Sequence, residues 1–232
     1  MPLPLEELEA KLDYRFQNRD LLDRALTHRS VSVHGADNER LEFLGDAVLG
    51  LVACERLLAL FPDASEGRLT KLKARLVSSR SLEEAARSLD LGRWLRLGGA
   101  EESSGGRDKR GLLVDALEAV LAAVYTDGGL PAARTLILEH LLTEDRVQAA
   151  ERNLAVDNAK STLQELLQSR GLPLPSYRVV QELGPPHRRR YRIAVQIGPN
   201  FTVESEAESK RDAEQQAAAE ALSQQSDWLP PA

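Results

Sequence analysis

The chain has a single cysteine among its 232 residues, so no intrachain disulfide can brace it. That residue, Cys54, ends the apolar run Ala47-Val48-Leu49-Gly50-Leu51-Val52-Ala53-Cys54, which predicts a buried and inert thiol. Cysteine usage of this kind makes the cytoplasm the expected compartment. No apolar run reaches the length of a transmembrane helix, so no membrane association is expected. The start, Met-Pro-Leu-Pro-Leu-Glu-Glu, lacks a basic region followed by an apolar core and does not read as a signal peptide. An excess of positive charge is missing too: 30 basic residues face 36 acidic ones, for a net charge of −6. Residues 1–150 carry 20 basic and 25 acidic residues, and residues 151–232 carry 10 and 11. Neither part is basic in bulk, so any nucleic-acid contact must come from local clusters.

What the chain does have is acid in expensive places. Asn38-Glu39-Arg40-Leu41-Glu42-Phe43-Leu44-Gly45-Asp46 sets three carboxylates at i, i+3 and i+7. On a helix of about 3.6 residues per turn they fall within an arc of roughly 60°. The apolar run that follows makes the helix hydrophobic nearly all round, which implies a core helix. At this point the acids read either as a solvated helix start favoured by the dipole or as a functional cluster. Residues 111–125 form a second core-type helix, with Asp115 and Glu118 at i and i+3. Neither helix brings a histidine to its acids. Oxygen-only ligands suit Mg²⁺ or Mn²⁺ rather than zinc, and four converging carboxylates repel one another strongly without such an ion.

Residues 38–46 resemble the signature motif of the ribonuclease III family. Asp115-Ala-Leu-Glu118 resembles that family's second acidic motif, and Ala25-Leu-Thr-His-Arg-Ser30 its early conserved segment. The nine-residue motif is specific, while Asp-x-x-Glu alone is weak. The resemblance spans most of the chain. It implies hydrolysis of double-stranded RNA to 5′-phosphate products with short 3′ overhangs, in rRNA and mRNA processing. It further implies a Mg²⁺ cofactor, with Mn²⁺ as a substitute, held by Glu42, Asp46, Asp115 and Glu118. Asp46 and Glu118 are then nearest the chemistry, and Glu39 orders the site or contacts substrate. A homodimer is implied as well, with Phe43 packing into the partner, although the sequence alone reads Phe43 equally well as a core residue. No histidine or serine constellation suggests covalent catalysis. Two other classes compete: a different all-α, Mg²⁺-dependent enzyme such as a nucleotide pyrophosphohydrolase, and a duplex-RNA-binding protein without chemistry. The character of the second domain argues against the first, and the intact acids against the second.

The expected architecture is an all-α domain over residues 5–142, a linker or helical extension over 143–156, a small α-β-β-β-α domain over 157–226 and a disordered tail over 227–232. In the first domain helices are expected over residues 5–12, 21–27, 38–60, 64–76 and 81–89, with a loop over 32–37. His28 reads as a packed or hydrogen-bonded residue. Lys71, Lys73 and Arg75 line the outer faces of the fourth helix, equally consistent with solvent or RNA, and Glu66 matches a further acidic position of the family. Glycines and serines between residues 98 and 106 predict a flexible segment. Asp127-Gly128-Gly129 caps the helix that carries Asp115, and Pro131 starts a last one through Leu142.

Residues 157–226 closely resemble the double-stranded RNA-binding domain, with strands over 176–182, 190–197 and 201–206 and a final helix over 209–223. Duplex RNA is recognised through its shape, 2′-hydroxyls and phosphates. Three elements supply the contacts. Ser161, Gln164, Glu165 and Gln168 share one face of the first helix. Gly184-Pro-Pro-His187 forms a loop tip led by His187. Lys210 and Arg211 sit at a helix N-terminus, which favours phosphate. A solvated edge strand over Arg188 to Arg190 and an ordinary exposed face of the first helix are the competing readings, set aside because the three elements stand in the family's order. The approach to the lysine site reads Glu204-Ser-Glu-Ala-Glu208, three acids that should weaken electrostatic binding.

Overall fold

The computed structural model describes residues 4–31 and 36–229. The expected loop over 32–37 therefore lies largely outside the described residues. The chain divides into two compact units, residues 1–150 and 151–232.

The first unit is helical: α1 Leu5–Lys11, α2 Arg19–Ala25, α3 Glu39–Leu60, α4 Glu66–Leu76, α5 Ser79–Ser88, α6 Gly99–Ser103, α7 Arg110–His140 and the start of α8 Glu144–Asp157. Side chains the sequence supplies for the purpose start several of these. Asn18 accepts from the Asp20 amide, Ser65 from Arg68 and Ser78 from Ser81, each cap contributing about 1 kcal/mol. The one break inside α7 falls at Gly129 (φ 74°), a left-handed conformation that glycine adopts without a Cβ clash, and Pro131 follows in the new first turn.

α7 is the axis of this unit, with α2, α3 and α5 packed against it. Between Leu113 and Val124, Asp115 and Glu118 alone escape full burial. The remaining core is leucine-rich: Leu8, Leu22, Leu49, Leu57, Leu72 and Leu82 are each nearly or fully buried, and each contributes about 1.5–3 kcal/mol by burial. At the α1–α2 corner the buried Glu9 accepts from the Phe16 amide and pairs with Arg19 at 2.8 Å.

Three expectations need correction here. The helix of the signature motif is not buried all round. Leu41, Gly45, Val48, Leu49, Val52, Ala53 and Leu57 face the interior, while Phe43 is 83% exposed, Leu58 59% and Leu51 48%. Cys54 is exposed as well, because its helical phase puts it on the stripe of Leu51 and Leu58 rather than on the inner face. The stretch between 98 and 108 is ordered, with α6 followed by a single 3₁₀ turn. Arg107 pins it by donating to the carbonyls of Gly92 and Leu95 at 2.8 and 2.9 Å, and Lys109 pairs with Glu101 at 2.5 Å. Of the two readings of residues 143–156 the helical extension is the one present: α8 is continuous, with Val147, Ala150 and Leu154 buried at helical spacing.

In the second unit α9 Ala159–Ser169 precedes three antiparallel strands, β1 Ser176–Leu183, β2 Arg190–Ile197 and β3 Phe201–Ala207, in the order β1-β2-β3. Helices α10 Lys210–Ser223 and α11 Gln225–Trp228 follow. Alternation along β2 sends Ile193, Val195 and Ile197 inward, where Val195 and Ile197 meet Leu163, Leu167, Ala217 and Ala221 of the two long helices. β2 is thus the central strand, and it begins at Arg190, just after the 3₁₀ turn Pro186–Arg188. The tail is ordered through Leu229: the Trp228 indole donates to the Ala221 carbonyl at 2.7 Å, and its ring lies 6.0 Å from that of Phe201. Residues 230–232 lie outside the described residues.

Candidate active site and RNA-facing surface

Gly45 carries no side chain, and that lets α3 and α7 touch through their backbones. A Cβ at this position would run into the carbonyl group of Glu118. The contact lies within one helical turn of Glu42, Asp46 and Asp115, so it sets both acidic pairs against each other. The motif reading passed over Gly45, although a glycine inside a helix costs about 0.5–1 kcal/mol against alanine and so marks a close approach.

The electrostatics show the convergence. Burial, then the charges of Asp46, Glu42 and Asp115, push the Glu118 carboxyl up to about 7. Glu42 is raised by burial, then by Asp115 and Glu39. Asp115 is raised by burial against the opposing pull of His28, its own backbone and Arg29. Glu42, Asp46, Asp115 and Glu118 thus gather at one place. Glu39 stands apart at the rim, about half-exposed and paired with Arg29 at 3.2 Å. His28 is hydrogen-bonded as expected, its Nδ1 lying 2.8 Å from the Ser30 hydroxyl. Glu66 accepts from the Thr70 hydroxyl at 2.8 Å.

Among the described residues no three His, Cys, Asp or Glu side chains are drawn into a finished metal cage. The donor set nevertheless fits a hard divalent cation. It is all oxygen and mutually repulsive, with Glu42, Asp115 and Glu118 half-buried and Asp46 exposed beside them, and its raised carboxyls, those of Glu42, Asp115 and Glu118, are those a positive charge would restore to the ionised form.

In the second unit Ser161, Gln164, Glu165 and Gln168 are all exposed, on the face of α9 opposite the buried Ala159, Leu163 and Leu167. His187 is exposed on the 3₁₀ turn Pro186–Arg188 that joins β1 to β2. Ser209 caps α10, and Arg211 is exposed in its first turn. Lys210 is already engaged: its ammonium lies 3.2 Å from Glu182 and 5.1 Å from the centroid of the Tyr191 ring. Of the three acids near this site, Glu206 is occupied, pairing with Arg190 and Arg192 at 3.2 Å each. Glu204 and Glu208 remain exposed.

Fold and site together describe a metal-type nuclease core joined to a duplex-RNA-binding module. A ribonuclease-III-like family model matches residues 18–145, and a double-stranded RNA binding motif matches residues 159–225. Ribonuclease 3 of Solibacter usitatus is 48% identical over 225 residues, covering 91% of this chain and 83% of that protein. Ribonuclease 3 of Alkalilimnicola ehrlichii is 45% identical, covering 96% of each. Among solved structures, the nuclease domain of ribonuclease III from Campylobacter jejuni, described for flexibility in its region involved in dimer formation, superposes with a TM-score of 0.58. It is 44% identical and covers 60% of this chain and 96% of that one. The chain belongs to the ribonuclease III family and is an endoribonuclease of double-stranded RNA. The pyrophosphohydrolase reading falls with this result. Among the described residues no helix is long and apolar enough to cross a membrane.

Proposed function

We propose that the chain acts as a cytoplasmic homodimer that cuts both strands of duplex RNA with Mg²⁺, or Mn²⁺ in its place, held by Glu42, Asp46, Asp115 and Glu118. The observation that carries this reading is the convergence of the two acidic pairs across the Gly45–Glu118 backbone contact, with Glu118 pushed up to about 7. A divalent ion in such a site supplies an activated water and offsets charge on the leaving oxygen. The protein's part is to hold four oxygen donors on two helices that cannot slide past each other. Partial burial keeps Glu42, Asp115 and Glu118 partly dry, Asp46 stands exposed beside them, and Asp46 and Glu118 face the reacting phosphate. Glu39 orders the rim through Arg29.

The second domain supplies grip. Ser161, Gln164, Glu165 and Gln168 bond 2′-hydroxyls, His187 reaches a second minor groove, and Lys210 and Arg211 take phosphate. The exposed stripe of Phe43, Leu51, Cys54 and Leu58 covers the same stripe on a second copy, giving two sites, one per strand. Cuts offset across the duplex leave 5′-phosphates and short 3′ overhangs, as rRNA and mRNA processing requires.

The test is cleavage of a structured RNA with and without Mg²⁺, by the parent and by Glu118→Gln. The variant loses cleavage by at least about 10³-fold and retains duplex binding, since one anionic ligand goes while the RNA surface stays. Normal turnover by Glu118→Gln in Mg²⁺ overturns the assignment.

A further inference from the structure

A cluster of four carboxylates repels the RNA phosphates it must approach, so a cation at its rim has work to do. The segment that supplies one is Ala25-Leu-Thr-His-Arg-Ser30, whose Arg29 the roles above use only as the partner of Glu39. Its backbone is fastened at both neighbours of Arg29. The His28 amide donates to the Arg96 carbonyl at 3.0 Å, and the Gly98 amide donates to the Ser30 hydroxyl at 2.8 Å. The Ser30 amide turns back to His28 Nδ1 at 3.2 Å. Gly98 itself packs so closely that a Cβ would lie 2.6 Å from the Ser30 carbonyl oxygen. The turn is therefore rigid, while the Arg29 side chain is 71% exposed and reaches the first residue of α3, pairing with Glu39 at 3.2 Å. Its charge also acts on Asp115. Arg29 thus stands between the rim and a metal-type carboxylate, on a mount that burial has not immobilised at its tip.

We propose that Arg29 binds a backbone phosphate of the RNA beside the carboxylate cluster, the phosphate taking the place that Glu39 occupies in the free protein. The inference rests on the RNA-cleavage reading of that cluster. A guanidinium fork matches two phosphate oxygens as well as it matches a carboxylate. The resident ion pair is exposed on both sides, with Glu39 54% exposed, and such pairs are weakly held and easily exchanged. Glu39 keeps the fork pointed at the cluster until substrate arrives. It also makes a poorly matched ligand compete for the position.

The experiment is steady-state cleavage of a short duplex in Mg²⁺ across a salt titration by the full chain and its variants R29Q, R29K and E39Q. In R29Q, kcat/KM falls about tenfold, mostly through KM, and the slope of log kcat/KM against log salt shrinks by about one. R29K recovers most of the loss, because a point charge still holds phosphate. E39Q lowers KM in the parent and leaves it unchanged in R29Q. A salt slope in R29Q equal to the parent's, or R29K no better than R29Q, overturns the proposal and makes Arg29 a brace for α3. If R29Q fails to fold, the E39Q arm decides alone: a KM that does not fall overturns the proposal. Cleavage by the parent in Mg²⁺ tests the underlying reading separately, so the two failures are distinguishable.

Discussion

In the nuclease domain Glu118 lies half-buried among Asp46, Glu42 and Asp115, and burial, then those like charges, push its carboxyl up to about 7. In the RNA-binding domain Glu206 lies between Arg190 and Arg192, Glu214 meets Lys160 at 2.6 Å, and Glu182 meets Lys210. The first domain stores a cost of burial and repulsion that an added cation or a proton on Glu118 relieves. The second is internally neutralised, so its affinity depends on exchanging carboxylates for phosphates. The difference separates chemistry from grip, and each half of it can be broken.

The largest effect is expected at the hinge of the first domain. Gly45→Ala puts a Cβ into the Glu118 backbone, and the two helices have to separate. Overpacking of this kind costs about 1–3 kcal/mol or more, and it displaces both acidic pairs at once. Cleavage should fall at least about 100-fold, with the unfolding midpoint lowered in a denaturant titration. A variant with parental activity would mean that the close contact does not assemble the site.

The next effect concerns the outer face of α3. Phe43→Asp leaves the protomer intact, because the residue is 83% exposed there. Burying an unpaired carboxylate in an apolar partner surface costs several kcal/mol, so the variant is expected to be monomeric by light scattering and to lose staggered cutting. A dimer that still makes staggered cuts would return Phe43 to an ordinary surface role.

A smaller effect sharpens the repulsion itself. The folded-state carboxyl of Glu118 lies above its unfolded value of 4.5. Its contribution to stability is fully present below about pH 4.5 and is lost as pH rises through 7. Without divalent cations the parent should therefore weaken relative to Glu118→Gln between pH 5 and pH 8. Discounted for the solvent screening of a half-exposed group, the gap should grow by about 1 kcal/mol. Chemical denaturation of both proteins at the two pH values measures it, and a gap that stays constant or narrows would remove the stored repulsion.

The smallest effect belongs to the second domain. Glu206→Gln frees Arg190 and Arg192 and lowers local negative charge, so duplex affinity should rise about two- to fivefold at low salt. Unchanged affinity in a salt series would place these arginines away from the RNA.

How much of this was legible in the chain depends on range. The acids of residues 38–46 and 115–118 are local in sequence, and helix geometry alone puts each set on one face. The strand and helix bounds of the second domain follow from alternation and from the Ser209 cap for the same reason. Cys54 was misread because an apolar run states composition and not direction. Only packing on α7 decides which side of α3 is inside. Residues 143–156 leave linker and helical extension open, because polar and charged residues suit a solvated helix as well as a linker. The burial that distinguishes the two, at Val147, Ala150 and Leu154, is a tertiary fact.

The sequence by itself determined that two core-type helices each carry paired carboxylates, and that a second α-β-β-β-α unit follows. Both are statements about periodicity, which the backbone imposes residue by residue. Only the tertiary structure decided that the carboxylates meet, because their meeting depends on the backbone contact at Gly45. It also decided that Arg29 reaches Glu39 across ten residues, and that Glu206 is spent on arginines from a neighbouring strand. Contacts between distant segments have no signature in local pattern; they exist only once the chain has been folded against itself.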